Sequence, residues 1–210
     1  MSHLRLPLVS LCLALSGCSG LLRSSAPQLQ LYVVQAPPAA TAPAPPTGPT
    51  LRIARPLPAP GLNTDRIALT RPGNRLDYYA GGRWSASLSD VISDLVLAAF
   101  RADPLWSAET DDRGTLNSEY LLQTSVDRFT AEYAADTAPP TIRVDLHCLL
   151  LRRSDGVVIG SFAVSQSQQA QANRMASVVA VFSQVADQAV LAVTAQADQL
   201  LRSAKSPAVP

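Results

Sequence analysis

Histidine and cysteine are scarce in this chain of 210 residues, which contains two histidines and three cysteines. Cys12 and Cys18 lie in the N-terminal segment, so Cys148 is the one cysteine of the region that follows and an internal disulfide there is excluded. His147 is the one histidine of the same region. One histidine and one cysteine are too few ligands for a zinc site.

An excess of basic residues is also absent. The chain has 17 Lys and Arg against 16 Asp and Glu. Residues 1–17, which are predicted below to be a cleaved signal peptide, contain Arg5 and no acidic residue. Without them the formal net charge is zero. A neutral chain without a basic run offers little to a phosphate backbone, so we predict no nucleic-acid partner. The same balance argues against a polybasic membrane patch.

No set of residues suited to catalysis is apparent. His147 and Cys148 are neighbours on a predicted strand, so their side chains point to opposite faces and do not form a thiolate and imidazole pair. The acidic run at 109–114 lacks the alternating oxygen ligands of a calcium loop. Gly81 and Gly82 stand alone and do not form a phosphate-binding loop. We predict a protein that is not an enzyme and has no catalytic, cofactor or metal residues.

What the chain does contain is an export signal. His3 and Arg5 open it, a run of mostly apolar residues follows from Leu6, and small residues precede Cys18. This order is typical of a secretory signal peptide over residues 1–17. The apolar run is too short for a membrane-spanning helix, which needs roughly 20 residues.

The sequence Leu-Ser-Gly-Cys at residues 15–18 resembles the lipobox of bacterial lipoproteins. The resemblance implies cleavage before Cys18 and covalent lipid on its thiol; the alternative is an ordinary signal with an incidental cysteine. Several acyl chains hold a protein on a bilayer where one does not. Lipoproteins kept on the inner membrane usually carry Asp after the cysteine, and this chain has Ser19. We therefore expect an anchor in the outer membrane, on the periplasmic face, with residues 18–28 as a tether.

Hydrophobic periodicity predicts a single domain over residues 29–205. A Pro/Ala-rich loop at 35–50 interrupts it and is expected to be an extended excursion. Alternating apolar residues and turn signals predict strands at Leu29–Val34, Leu51–Leu57, Arg66–Thr70, Arg75–Tyr79, Ser118–Phe129, Thr141–Arg152 and Val157–Ser167.

Two segments have helical periodicity. The first begins with Trp84 and ends near Asp103, before a proline. The second runs for about 27 residues from Met175 and is rich in alanine. Together with the strands they predict an α+β fold, an antiparallel or mixed sheet of five to seven strands with two long helices packed on one face. The weakly charged back of the second helix suits either a contact in a homo-oligomer or an ordinary core helix.

The order of these parts resembles the ABC-type transport auxiliary lipoprotein family. Members combine a lipobox, an early strand, an Arg-Ile strand after Pro and Leu, a strand ending in aromatic residues, an Arg-Trp pair opening the first helix, and a closing Ala-rich helix. The corresponding residues here are Pro60, Leu62, Arg66, Ile67, Arg71, Tyr78, Tyr79, Arg83 and Trp84. The sequence departs from the family pattern in its long proline-rich loop and in the two glycines before Arg83.

The resemblance implies a non-enzymatic periplasmic component of an MCE-type ABC transporter that moves lipids or other apolar solutes across the envelope. Its expected partners are an MCE-domain protein, the ABC permease and ATPase, and the outer-membrane bilayer. Two other roles remain open at this point. One is a periplasmic lipid-binding carrier, and the other is a pilot-like assembly lipoprotein of another outer-membrane machine.

Four residues near the predicted hairpin form a candidate partner surface. Arg66, Arg71 and Arg83, together with Trp84, are of the types that often anchor interfaces, and they could meet a protein partner or lipid headgroups. The alternative is that the arginines are rim charges and that Trp84 packs in the core.

Overall fold

Nine strands and two helices make up the part of the chain that the structure, a computed structural model, describes: residues 29–35, 48–110, 118–135 and 137–205. The strands are β1 (Gln30–Tyr32), β2 (Thr50–Ile53), β3 (Leu57–Pro58), β4 (Arg66–Arg71), β5 (Arg75–Trp84), β6 (Ser107–Thr110), β7 (Tyr120–Glu132), β8 (Thr141–Arg152) and β9 (Val158–Gln169). The helices are α1 (Leu88–Ala102) and α2 (Met175–Lys205). The predicted signal peptide, the predicted tether with Cys18, most of the Pro/Ala-rich loop and the core of the acidic run lie outside the described residues.

The predicted α+β class with a mixed sheet is confirmed, and the sheet has more strands than the five to seven expected. The predicted strand Leu51–Leu57 is two strands, because β2 and β3 pair with different parts of β7 and the chain between them contains Pro56. The four-residue β6 is too short for periodicity to reveal. Each short strand extends the sheet by pairing with a longer neighbour.

The long strand β7 organises the sheet. One of its edges pairs with β8 in antiparallel fashion, and β8 pairs in turn with β9. The other edge pairs in succession with β2, β3 and β4, all parallel to it. Beyond β4 lie the antiparallel β5 and then β1, which is parallel to β5. The strand β1 therefore forms one edge of the sheet.

Strand β8 shows how the sheet divides into two faces. Its side chains from Ile142 to Leu150 at every second position are at most 1% exposed, whereas Arg143, Asp145 and His147 between them are partly exposed. Alternation sends the two sets to opposite faces. Helix α2 packs on β8 and β9 and thereby defines the covered face, while α1 packs on α2, β6, β2 and β3. The opposite side of the sheet is the open face.

Three aromatic rings fill the space between the covered face and α2. Trp84 meets Phe129 of β7 and Phe182 of α2 edge to face, with ring centroids 5.8 and 5.2 Å apart. Phe129 and Phe182 stack at 5.0 Å. Each ring is at most 2% exposed. This contact joins β5, β7 and α2, so the last helix is fixed by burial on the sheet.

The first helix begins four residues later than predicted. Trp84 is the last residue of β5 instead of the first of the helix, and α1 starts at Leu88 with Ser87 as its N-cap. The Asp90 amide donates to Ser87 Oγ (3.4 Å), and Ser87 Oγ donates to the Asp90 carboxylate (2.6 Å). Trp84 matched the helical spacing because it lies four residues before Leu88 and faces the same core.

A second buried contact ties the end of α2 to the loop before β6. Trp106 Nε1 donates to Asp198 Oδ1 at 2.7 Å, and both residues are less than 10% exposed. Trp106 also meets Phe100 of α1 and Tyr120 of β7 edge to face. Among the described residues, α2 is also the one helix long and apolar enough to cross a membrane, and half of its most apolar window is buried in the fold.

The two glycines before Arg83 lie inside β5 and differ in their surroundings. A Cβ on Gly82 would lie 2.6 Å from the Met175 methyl carbon and 2.8 Å from the Tyr32 ring. A Cβ on Gly81 would meet nothing within 4 Å. Gly82 therefore lets β1 and the start of α2 approach β5 closely, which is a structural reason for one of the two departures from the family pattern.

Candidate partner surface on the β4–β5 hairpin

The predicted hairpin is present and carries the three candidate arginines. Strands β4 and β5 are antiparallel and meet at Pro72, Gly73 and Asn74. Gly73 and Asn74 have φ values of 83° and 57°, the left-handed region that glycine and asparagine tolerate best. The turn sets the pairing from Arg71 with Arg75 to Ala68 with Tyr78, and the register shifts between Ala68 and Arg66.

That register places the arginines in two groups. Arg66 lies opposite Arg83 at one end of the hairpin, and Arg71 lies opposite Arg75 at the turn. Five residues of extended chain separate Arg66 from Arg71, a distance of about 16 Å. The structure therefore brings Arg66 and Arg83 together and leaves Arg71 apart, so the hairpin has an Arg66/Arg83 end and a turn end.

At the Arg66/Arg83 end, Arg66 lies over an aromatic ring. Its guanidinium carbon is 3.8 Å from the centroid of Tyr78, a cation–π contact. The Tyr78 hydroxyl donates to the carbonyl oxygen of Gly61 at 2.7 Å, which holds the ring in place. Arg66 remains exposed, so its charge is positioned and still available at the surface.

The neighbouring Arg83 is held by a carboxylate. Its Nη1 donates to both oxygens of Asp65, at 3.0 and 3.1 Å. The hydrogen bond from Arg83 lowers the pKa of Asp65 below its usual range. Both side chains are about 40% exposed, so this is a surface ion pair of modest energy that orients the arginine.

At the turn end, Arg71 belongs to a group of tyrosines. Its guanidinium lies 5.6 Å from the ring centroid of Tyr133 and 3.7 Å from the carboxylate of Asp77. Tyr133 donates its hydroxyl hydrogen to Asn173 Oδ1 at 2.8 Å, so the Tyr79 hydroxyl, 2.8 Å away, must be the donor to Tyr133. Burial, followed by the hydrogen bond to Tyr133, raises the pKa of Tyr79 far above its usual range.

Beside this group is a cavity of about 480 Å³. It lies between the β3–β4 loop, the hairpin turn and the end of β7. Its lining is mixed, with Pro60, Leu62 and Leu76 on the apolar side and Arg71, Arg128 and Glu132 among the charged residues. An open, partly charged recess of this kind suits a docked polar segment better than a wholly apolar ligand.

The open face continues from the cavity as a ladder of ion pairs. Arg128 lies 3.7 Å from Glu132 and 3.5 Å from Asp145, and Arg143 lies 3.3 Å from Glu132. Asp145 also accepts a hydrogen bond from Ser165 on β9. The side chains are 22–52% exposed, so the ladder keeps this face hydrated while its charges cancel.

Trp84 is the candidate residue that the structure places inside. It is 2% exposed and contacts Phe129 and Phe182. Of the two interpretations of Trp84 from the sequence, the one in which it packs in the core therefore fits the structure. Trp84 can affect the surface only by fixing the position of β5, because Arg83 is the residue before it in that strand. Two partners of the arginines, Asp65 and Tyr133, were not singled out from the sequence because no local pattern links them to the arginines. Tyr78 was named there, but only as an aromatic residue at the end of a strand.

The two residues considered for catalysis, His147 and Cys148, lie on opposite faces of β8. His147 is on the open face, where Nε2 lies 3.0 Å from Ser161 Oγ, and Cys148 is on the covered face with no exposed surface. Burial raises the pKa of the Cys148 thiol to about 11, so it is protonated at neutral pH. Within the described ranges no group of His, Cys, Asp and Glu residues could hold a metal ion.

The family model for the ABC-type transport auxiliary lipoprotein component matches residues 30–194. The chain belongs to this family. The match begins at β1 and ends within α2, so it includes the hairpin, all of α1 and the first part of α2. The family is one of auxiliary transport components. Among proteins of curated function, none matches the chain.

Solved structures share the fold. A Xanthomonas campestris protein of the DUF330 family is 24% identical, with a TM-score of 0.68 over 81% of this chain and 99% of its own. An uncharacterized protein is 13% identical, with a TM-score of 0.64 over 80% and 98%. A PelC dodecamer from Paraburkholderia phytofirmans is 15% identical, with a TM-score of 0.43 over 73% and 92%, a likeness too distant to inform on assembly here.

Proposed function

We propose that this protein is an outer-membrane-anchored periplasmic lipoprotein that acts as a non-catalytic auxiliary component of an MCE-type ABC transporter moving lipids or other apolar solutes across the envelope. Membership of the auxiliary lipoprotein family is the observation that carries the proposal. The lipobox-like sequence ending at Cys18, followed by Ser19, supports the anchor and its location.

The anchor suggests how the protein acts. A domain held on the outer bilayer is positioned to receive the end of an assembly that reaches from the inner membrane. Its partners would be the MCE-domain protein and, through it, the permease and ATPase. Docking or stabilising, in one copy or as a homo-oligomer, requires a positioned surface and no chemistry.

The turn end of the hairpin is the part of the surface best suited to a protein partner. Arg71 is held by Asp77 and by the face of Tyr133, so little side-chain freedom is lost when it binds. The adjoining cavity offers apolar walls beside charged ones. Pre-positioned arginine and tyrosine beside a recess are typical of binding hot spots.

Two other roles predict different behaviour. A lipid carrier would be expected to enclose its ligand between helices and sheet, whereas this space holds Trp84, Phe129 and Phe182 in contact. Native mass spectrometry of the protein separates the roles, because phospholipid that co-purifies favours a carrier. An assembly lipoprotein would instead capture components of a secretin or barrel machine.

The proposal is tested by affinity capture of the intact lipidated protein from membranes after crosslinking. The expected co-purifying proteins are the MCE-domain protein and the ABC permease. The Cys18→Ser variant, which has no thiol for lipid, is the matched control, and we expect it to lose palmitate labelling and to recover much less of the complex. Capture of assembly components without transport proteins would contradict the proposal.

A further inference from the structure

Three large apolar side chains at the N-terminal edge of the sheet face solvent. Leu29, Leu31 and Val33 are 49%, 66% and 61% exposed. They alternate along the chain, so they lie on one side of it. On the other side of the chain, Tyr32 packs against the core and Val34 is 8% exposed. An apolar stripe on a strand usually faces the core, and this one does the opposite.

The stripe lies beside the Arg66/Arg83 end of the hairpin. Leu31 is in register with Arg83, and Arg83 is in register with Arg66. Residues in register share a face of the sheet, so apolar stripe and guanidinium groups are neighbours on the open face. Tyr78 and Asp65 orient these arginines, as described above.

The distance along the chain to the proposed anchor is short. Leu29 is the eleventh residue after Cys18, which limits the distance between the two to about 40 Å. From β1 across β5, β4, β7 and β8 to β9 is five strand spacings, about 24 Å. Because the chain that comes from the proposed anchor enters the sheet at β1, this anchor favours the β1 edge as the one next to its bilayer.

We propose that the stripe Leu29, Leu31 and Val33, with Arg66 and Arg83, lies in the headgroup region of the membrane that carries the Cys18 lipid. The leucine and valine side chains enter the boundary between headgroups and acyl chains, and the guanidinium groups bind lipid phosphates. The strand stays at the interface, where water can still satisfy its outer backbone groups. The inference rests on lipidation of Cys18 and adds an orientation, with the hairpin turn pointing away from the bilayer.

An environment-sensitive fluorophore tests this contact directly. Leu31→Cys in the full lipidated chain introduces an exposed thiol for NBD labelling, whereas Cys148 is buried and protonated and stays unlabelled. Leu191→Cys, on the exposed side of α2 at 54% exposure, is the matched control. Each protein is reconstituted in vesicles of phosphatidylethanolamine and phosphatidylglycerol, with and without spin-labelled lipid.

The expected result is an emission shift to shorter wavelength and quenching by spin-labelled lipid at position 31, and neither at position 191. The inference would be overturned by the absence of a shift at position 31 or by equal shifts at both positions. A shift at position 31 that depends on protein concentration and resists the lipid quencher would also overturn it, because a second copy of the chain would then cover the stripe. Palmitate labelling of the same samples shows whether the protein carries its lipid. If lipidated protein shows no membrane contact at position 31, the inference is wrong and the proposed transport role is unaffected.

Discussion

The two faces of the sheet use the same strands for different purposes. On the covered face, residues from β5, β7, β8 and α2 exclude water almost completely, and the polar group at its margin, Asp198, accepts a hydrogen bond from Trp106. On the open face, ion pairs are solvated and the arginines rest on tyrosine or carboxylate partners. We therefore expect stability to depend mainly on the covered face, and we propose that partners meet the open face and the turn end of the hairpin.

The largest effect is expected from the centre of the covered face. Trp84→Ala removes the ring that contacts Phe129 and Phe182, and a buried aromatic replaced by alanine typically costs about 3–5 kcal/mol in the free energy of unfolding. Pulse proteolysis of the membrane-bound protein in urea measures it. The control is Leu191→Ala, an exposed residue expected to change stability by less than about 0.5 kcal/mol. Equal stability of the two variants would contradict the assigned core.

The buried hydrogen bond at the margin comes next. Asp198→Ala leaves Trp106 Nε1 without its acceptor, which should lower the free energy of unfolding by about 1–3 kcal/mol, and Asp198→Asn should lower it less because an acceptor remains. Burial raises the pKa of Asp198 above its ordinary value of 3.8, so the folded chain binds this proton more tightly than the unfolded chain. Its contribution to stability thus falls as the pH rises from 3.8 through the folded pKa. Unfolding titrations at several pH values should show that Asp198→Asn lacks this component.

A smaller loss is expected where β1 joins the sheet. Gly82→Ala places a methyl group against Tyr32 and Met175, and overpacking typically costs about 1–3 kcal/mol, here at the lower end because the Met175 methyl can move. Gly81→Ala, one residue earlier, has open space and is the control. Hydrogen exchange at β1 and thermal unfolding should separate the two variants. Identical protection of β1 in both would show that the close approach is not needed.

The smallest effect is expected on the open face. Asp145→Asn weakens the ladder at Arg128, and a solvated ion pair contributes about 0–1 kcal/mol, which salt screens further. Urea unfolding at low and high salt measures the difference between variant and wild type, which should shrink as salt rises. A salt-independent loss comparable with that of Trp84→Ala would mean that the open face is also part of the core.

Much of this fold could be predicted from the sequence, because long elements have clear periodicity. The predicted bounds of β8, Thr141–Arg152, are those observed, and α2 begins at the predicted Met175. The predicted start of α1 was wrong because Trp84 fits the helical spacing. Ser87 followed by Asp90 is a capping signal that marks the observed start. The parallel pairings of β2, β3 and β4 with β7 depend on contacts distant in sequence and leave no local pattern.

The candidate site was only partly predictable for the same reason. The hairpin and its arginines were apparent from the Pro-Gly-Asn turn and the strands beside it. Their division into two ends follows from register, and register became known only with the structure. Alternating apolar residues on a strand usually face the core, but Leu29, Leu31 and Val33 are exposed. Functional surfaces are expected at such conflicts between the local sequence pattern and the fold.

Site-specific photo-crosslinking in cells tests most directly whether the open face, and not the helical layer, meets the transport system. Benzoylphenylalanine is placed at Leu76, 39% exposed beside the cavity, and in a separate strain at Leu191, 54% exposed on α2. The account predicts adducts with the MCE-domain protein or the ABC permease from position 76 and none from position 191. Transport-protein adducts from position 191 alone would contradict it.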